Sequence, residues 1–203
     1  MIFRRFIIEG SRNIAYLIGD EKSGKAVVVD PSGAVSDIIN VLQKENLKLK
    51  YIINTHAHSD HTAGNNELAS KTGAEIMLHE AANIGGDIKL KDGEIVEIDG
   101  MDIKVIHTPG HTPDSICLII GNKILTGDTL FVGECGRTDL PGGNSGTLYD
   151  SLFGKIIKLD DDLEVYPGHD YGEKPDSTLE YEKKHNYVLK QRSKEEFLRF
   201  MRE

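Results

Sequence analysis

Residues 55–61 read Thr-His-Ala-His-Ser-Asp-His, directly after the short apolar run Tyr51-Ile52-Ile53-Asn54. Any fold of this chain must accommodate three His and one Asp within six residues. In an extended segment, residues two apart face the same side, so His56 and His58 can grip one ion. Asp60 and His61 follow where the chain turns into a helix and can face a second ion beside it. Neutral imidazole and carboxylate are common ligands for zinc, iron and manganese. A lone His is more often a satisfied core or surface residue. That reading does not cover four potential ligands delivered together by one apolar strand.

Three later residues repeat the arrangement. His111 stands in His107-Thr108-Pro109-Gly110-His111, after a strand that Thr112-Pro113 stops from continuing. Asp128 ends Leu125-Thr126-Gly127-Asp128, and His169 lies in Val165-Tyr166-Pro167-Gly168-His169-Asp170. Each candidate sits where a rigid strand meets a loop, beside a Gly that permits close approach, which is where preorganised sites are built.

The rest of the pattern alternates. Runs 2–8, 12–18 and 25–29 read as strands, and Asp30-Pro31-Ser32-Gly33 as a turn. Val35, Ile38, Ile39 and Leu42 recur at helical spacing, predicting a helix over 34–46. A helix over 65–72 ends at Gly73, and a strand follows over 75–78. Residues 82–93 carry Gly and Asp breakers and read as irregular. Asp99-Gly100 and Gly121-Asn122 mark hairpins joining 94–98 to 101–106 and 115–120 to 123–126. Helices are expected over 147–158, 177–190 and 194–202, with a strand over 163–166. Two sheets packed face to face, with helices outside, is the natural layered solution for such a pattern.

THAHSDH, HTPGHTPDS, TGDTLF and YPGHDY, in this order along residues 12–170, resemble the ordered motifs of the metallo-β-lactamase superfamily. The resemblance implies an α/β fold, the four-layer αββα sandwich, with two mixed sheets, helices on the outer faces and a metal site where the sheets meet. It also implies a division of ligands. His56, His58 and His111 would hold a first metal. Asp60, His61 and His169 would hold a second, and Asp128 would bridge both. The implied cofactor is two divalent metal ions, zinc first, with iron or manganese as alternatives. Two metals about 3.5–4 Å apart lower the pKa of a bridging water and make hydroxide near neutral pH. Asp60 and Asp128 are the implied catalytic carboxylates, with Asp60 orienting that hydroxide.

The stretch from Gly127 to Leu140, GDTLFVGECGRTDL, narrows the branch. It resembles glyoxalase II and the persulfide dioxygenases, both of which act on thiol-derived small molecules. The first expectation is a dinuclear hydrolase of a thioester such as a hydroxyacyl-glutathione. The alternative is a persulfide dioxygenase with a single iron held by His56, His111 and Asp128. There His58, Asp60, His61 and His169 would support the iron ligands. True β-lactamases of the family often place a Cys on the second metal, which this ligand set does not. By the same resemblance Arg137 and Tyr171 are candidate substrate contacts, although Arg137 could equally pair with Asp139.

A formal net charge of −9 argues against a general nucleic-acid binder. No apolar run approaches bilayer length, so no membrane partner is expected. The N-terminus lacks the apolar core of a signal peptide. The two Cys, Cys117 and Cys135, therefore read as free thiols in a cytoplasmic protein. The chain is expected to form one domain over 1–203, closing with a short helical tail over about 177–203, as a monomer or homodimer.

Overall fold

The computed structural model describes residues 1–202; Glu203, at the end of the expected tail, lies outside the described residues. Strands β1 (Ile2–Ile7), β2 (Ile14–Asp20) and β3 (Lys25–Val29) form an antiparallel meander. Asp30 and Ser32 have φ of 49° and 46° and turn the chain out of β3. It enters helix α1 (Val35–Lys44), which buries Val35, Ile38 and Leu42 at the expected spacing. Strand β4 (Lys48–Ile53) returns parallel to β3. The one-turn helix α2 (Ser59–Thr62) and helix α3 (Asn65–Thr72) follow, and α3 ends at Gly73 in the left-handed conformation. Strands β5 (Glu75–His79) and β6 (Ile88–Leu90) complete a mixed sheet of order β1-β2-β3-β4-β5-β6.

The second half opens with two hairpins. Strands β7 (Ile95–Ile98) and β8 (Met101–His107) turn at Asp99-Gly100, where both residues have positive φ. Strands β9 (Ile116–Ile120) and β10 (Lys123–Gly127) turn at Gly121-Asn122. Two-residue strands β11 (Leu130–Phe131) and β12 (Glu134–Cys135) form a small separate hairpin. Helix α4 (Ser145–Gly154), capped by Asn144, leads to β13 (Glu164–Pro167), which pairs parallel with β10. Strand β14 (Ser177–Thr178) sits at the edge, giving the order β14-β13-β10-β9-β8-β7. Helices α5 (Leu179–His185) and α6 (Lys194–Phe200) follow.

Three apolar layers explain the stacking. One lies between the sheets and takes Ile14, Tyr16 and Ile18 from β2 with Ile103, Val105 and Leu118 from the other sheet. The alternate β2 residues, Ala15 and Leu17, face the opposite way and pack with Ile38, Leu42 and Leu68 of α1 and α3. A strand with period-two side chains and both faces buried must sit inside a sandwich. The third layer joins Ile124 and Val165 of the second sheet to Leu148, Leu179 and Phe197 of α4, α5 and α6. This is the αββα arrangement.

The structure differs from the sequence expectation in short elements. The stretch 82–93, read as irregular, contains β6. The helix expected over 147–158 stops at Gly154 and continues as a 3-10 turn, Ile156–Lys158. The helix expected over 177–190 begins as β14 and ends as a 3-10 turn at Tyr187–Leu189. Among the described residues, no helix is long and apolar enough to cross a membrane.

Candidate metal centre

The loops leaving β3, β4, β8, β10 and β13 meet at one edge of the sandwich and bring Asp30, His56, His111, Asp128 and His169 together. Their approach depends on missing side chains at two positions. Gly127 has φ of 49°, and a Cβ there would fall 2.6 Å from Thr55 Oγ1. A Cβ on Gly168 would strike Asp128 Oδ1.

All seven expected ligands enter the cluster. Their donor atoms form three overlapping groups: His56, His58 and His111; His56, His61 and Asp128; and Asp60, His61 and His169. Within each group the atoms lie within 4.8 Å of one another. His58 Nδ1 stands 3.0 Å from both His56 Nε2 and His111 Nε2. His61 Nε2 and His169 Nε2 are 3.2 Å apart. Asp128 lies between the sets, with Oδ1 3.4 Å from His61 Nε2, and Oδ2 3.5 Å from His111 Nε2 and 3.3 Å from His169 Nε2.

The outward nitrogens show which way the lone pairs face. His111 Nδ1 donates to the Arg137 carbonyl at 2.7 Å, and His169 Nδ1 to the Ser11 carbonyl at 3.3 Å. His61 Nδ1 donates to Asp30 Oδ2 at 2.9 Å. The Thr55 hydroxyl donates to that same oxygen at 2.6 Å, and so accepts from His56 Nδ1 at 3.2 Å. Each of these outward nitrogens carries a proton, so in the neutral ring each Nε2 turns its lone pair into the centre, and His61 would do so on giving up its second proton to a cation. Lone pairs converging at about 3 Å repel unless an electrophile sits among them. Asp128 Oδ1 is buried and has no hydrogen-bond partner among the described residues. Nitrogen lone pairs, two carboxylates and an orphaned oxygen fit divalent cations and little else.

The charges agree. Burial, and then the neighbouring His61, pushes His56 well below the usual histidine range; burial and His111 lower His58. Burial opposes a charge on His61, but Asp128, Asp30 and Asp60 outweigh it and raise that imidazole to about 9. Burial would likewise raise Asp128, yet the surrounding imidazoles hold it well below the ordinary carboxylate range. The pocket is therefore a concentration of negative potential that an imidazolium balances without metal and a cation would balance with it.

The two candidate substrate contacts separate. The Tyr171 ring stacks on His169, with centroids 4.6 Å apart and planes at 12°, and its edge meets Phe131 at 5.3 Å. It lines a cleft of about 780 Å³ whose charged lining is Lys174 against Glu134, Glu164, Glu173 and Asp176. The Arg137 guanidinium instead makes two 2.6 Å bonds to Asp139 in solvent, and only its carbonyl serves the centre. His79 and His107 stack on each other at 3.8 Å, outside the donor groups.

Three residues of the site were not expected from the sequence. Asp30 orients His61 and accepts from Thr55 N at 2.8 Å and Asn54 Nδ2 at 3.3 Å. Its signal, an acid ending an apolar strand, is the same one that marks Asp128, but the following Pro31-Ser32-Gly33 makes it read as a turn. Asn13 reaches Asp60 and Phe131 stands edge-on to His169; neither carries a local signal.

The metallo-beta-lactamase superfamily model matches residues 13–169, a span that holds every donor described above. The chain belongs to this superfamily. Within the metallo-beta-lactamase superfamily, it is 34% identical to the human mitochondrial persulfide dioxygenase ETHE1 over 99% of this chain and 80% of that protein. It is also 34% identical to the hydroxyacylglutathione hydrolase GloC of Haemophilus influenzae, over 90% of this chain and 94% of that protein. The crystal structure of ETHE1 from Myxococcus xanthus superposes with a TM-score of 0.95 at 35% identity, covering 100% of this chain and 90% of that one. The chain is thus a superfamily member with a metal-binding site suited to a metal-dependent enzyme, and it resembles both a dioxygenase and a hydrolase branch.

Proposed function

We propose that this chain is a persulfide dioxygenase built on a single iron, with His56, His111 and Asp128 as the ligands. The observation that carries the reading is the extent of the ETHE1 likeness. It runs over 99% of the chain in sequence and all of it in structure, past His169, where the superfamily match ends. That further segment carries Tyr171, whose ring stacks on His169 and lines a neighbouring cleft.

Two histidines and one carboxylate leave open positions on iron, which when bound supplies oxygen activation for transfer to sulfur. The protein's own groups do the rest. Asp30, Thr55 and the carbonyls of Arg137 and Ser11 hold the imidazoles in one tautomer. Tyr171 and Phe131 present an aromatic wall, a surface that sulfur contacts favourably.

A second reading has its own observation. Asp128 lies between the two ligand groups, one oxygen toward His61 and the other toward His111 and His169. A carboxylate so placed suits two divalent ions and a hydroxyacyl-thioester hydrolase, the activity in the name of the GloC relative. Metal content, oxygen uptake and thioester cleavage separate the two. One iron per chain, with oxygen consumed in step with glutathione persulfide and lost in His56→Ala, supports the dioxygenase. Two metals per chain, with thioester cleavage and no oxygen uptake, overturns it in favour of the hydrolase.

A further inference from the structure

We propose that the guanidinium of Arg12 is the anion anchor at the mouth of the metal centre, taking a carboxylate of the substrate's thiol carrier beside Tyr171. Arg12 lies in the turn between β1 and β2, and that turn is laced to the strand end that carries His169. The Arg12 carbonyl accepts from the Asp170 N–H at 2.9 Å, the Ser11 carbonyl accepts from His169 Nδ1 at 3.3 Å, and Asn13 pairs with His169 in an antiparallel bridge. Arg12 is thereby held opposite Asp170, the neighbour of Tyr171. The charges felt at the Tyr171 hydroxyl are those of Asp128, Asp60 and Arg12, so this arginine acts on the same point as the two site carboxylates and is the cation among them.

Two features set Arg12 apart from a solvated surface arginine. Its φ is 60°, in the left-handed region that glycine and asparagine enter readily and a long side chain enters at a cost. A turn that needs this conformation and nothing more is better served by glycine, and strain kept at the edge of a site points to a task for the side chain. Its guanidinium is exposed and has no hydrogen-bond or ion-pair partner among the described residues, whereas Arg4 binds Glu45, Arg5 binds Asp176 and Arg137 binds Asp139. The surroundings offer an anion little else. The cleft that Tyr171 lines sets Lys174 against Glu134, Glu164, Glu173 and Asp176, so its field repels a carboxylate. An arginine fork pairs with both oxygens of a carboxylate and stays charged across the working pH range. Arg12 is thus the cation placed to meet an anionic carrier at the aromatic wall.

The proposal rests on the reading of the substrate as a persulfide of an anionic thiol, so its test is binding, scored apart from the reaction. Glutathione and its diethyl ester, which lacks free carboxylates, would be titrated calorimetrically into the metal-loaded full chain as wild type, Arg12→Gly and Arg12→Gln. Arg12→Gly should weaken glutathione binding about fivefold, the upper range for an exposed ion pair, with metal content unchanged. Arg12→Gln, which keeps the strained backbone and loses only the charge, should show the same loss, and it carries the test if the glycine variant does not fold. The ester should bind wild type and variants alike, and added salt should weaken glutathione binding more in wild type than in the variants. Equal glutathione affinity in wild type and variants, the same loss for the ester as for glutathione, or no glutathione binding by the wild type would overturn the proposal. Glutathione binding that depends on Arg12, with no oxygen uptake from the persulfide, would instead count against the dioxygenase reading alone.

Discussion

Asp30 Oδ2 accepts the Nδ1 proton of His61 at 2.9 Å, and both side chains are buried at the junction of two strand ends. The pair fixes which His61 nitrogen faces the metal centre. An asparagine in place of Asp30 could keep the turn, since that side chain tolerates the positive φ found there. It would still lose the charge that holds the imidazole. Asp30→Asn should weaken metal binding by about 10–100-fold, the usual effect of removing a partner behind a metal-ligating histidine. Unchanged affinity in a chelator competition would contradict this role.

Metal removal should destabilise the fold. Stripping the ion leaves Asp128 Oδ1 buried and unpaired and the His61 and His169 Nε2 atoms 3.2 Å apart with no cation between the carboxylates. A ligand that binds only the folded state stabilises by several kcal/mol when present far above its Kd, about 4 kcal/mol at a thousandfold excess. Thermal unfolding with and without chelator should show a lower midpoint for the stripped protein, restored by added metal. Asp128→Ala should abolish the metal-dependent part of the shift.

The Tyr171 ring should matter for substrate and not for metal. It stacks on His169 and lines the cleft, while its hydroxyl is not needed for either contact. Tyr171→Ala should raise KM about 5–10-fold, the value of one aromatic contact, with metal content unchanged. Tyr171→Phe should retain most of the wild-type KM. A drop in metal content in the alanine variant would mean that the stack supports His169 instead.

Burial pushes the Cys117 thiol up to about 11 and the Cys135 thiol up to about 12, both from about 9. The folded state therefore keeps protons that the unfolded chain releases above pH 9. Stability from this source is complete below pH 9 and falls as pH rises from 9 toward 11. Cys117 alone accounts for about 2–3 kcal/mol of the loss. Denaturant midpoints measured across pH 8–11 should decline, and Cys117→Ala should flatten part of the slope. The same burial predicts that an aromatic disulfide reagent titrates neither thiol until the protein unfolds.

The ligand chemistry was legible in the chain itself because each donor announces itself locally. His56, His111, Asp128 and His169 follow apolar runs, which form strands whatever their partners, and Gly127 and Gly168 sit beside them for close approach. Asp99-Gly100 is legible for a similar reason, since its preference for positive φ belongs to the dipeptide. Strands of two or three residues were not legible. β6, β11 and β12 exist only because neighbouring backbone offers them hydrogen bonds. The roles of Asp30, Asn13 and Phe131 belong to the tertiary structure alone. Asp30 meets His61 31 positions away, and Asn13 meets Asp60 47 positions away and His169 156 positions away. Periodicity and turn chemistry encode a residue's own backbone and which face it buries. Which acceptor a buried amide will meet is decided when two sheets close on each other.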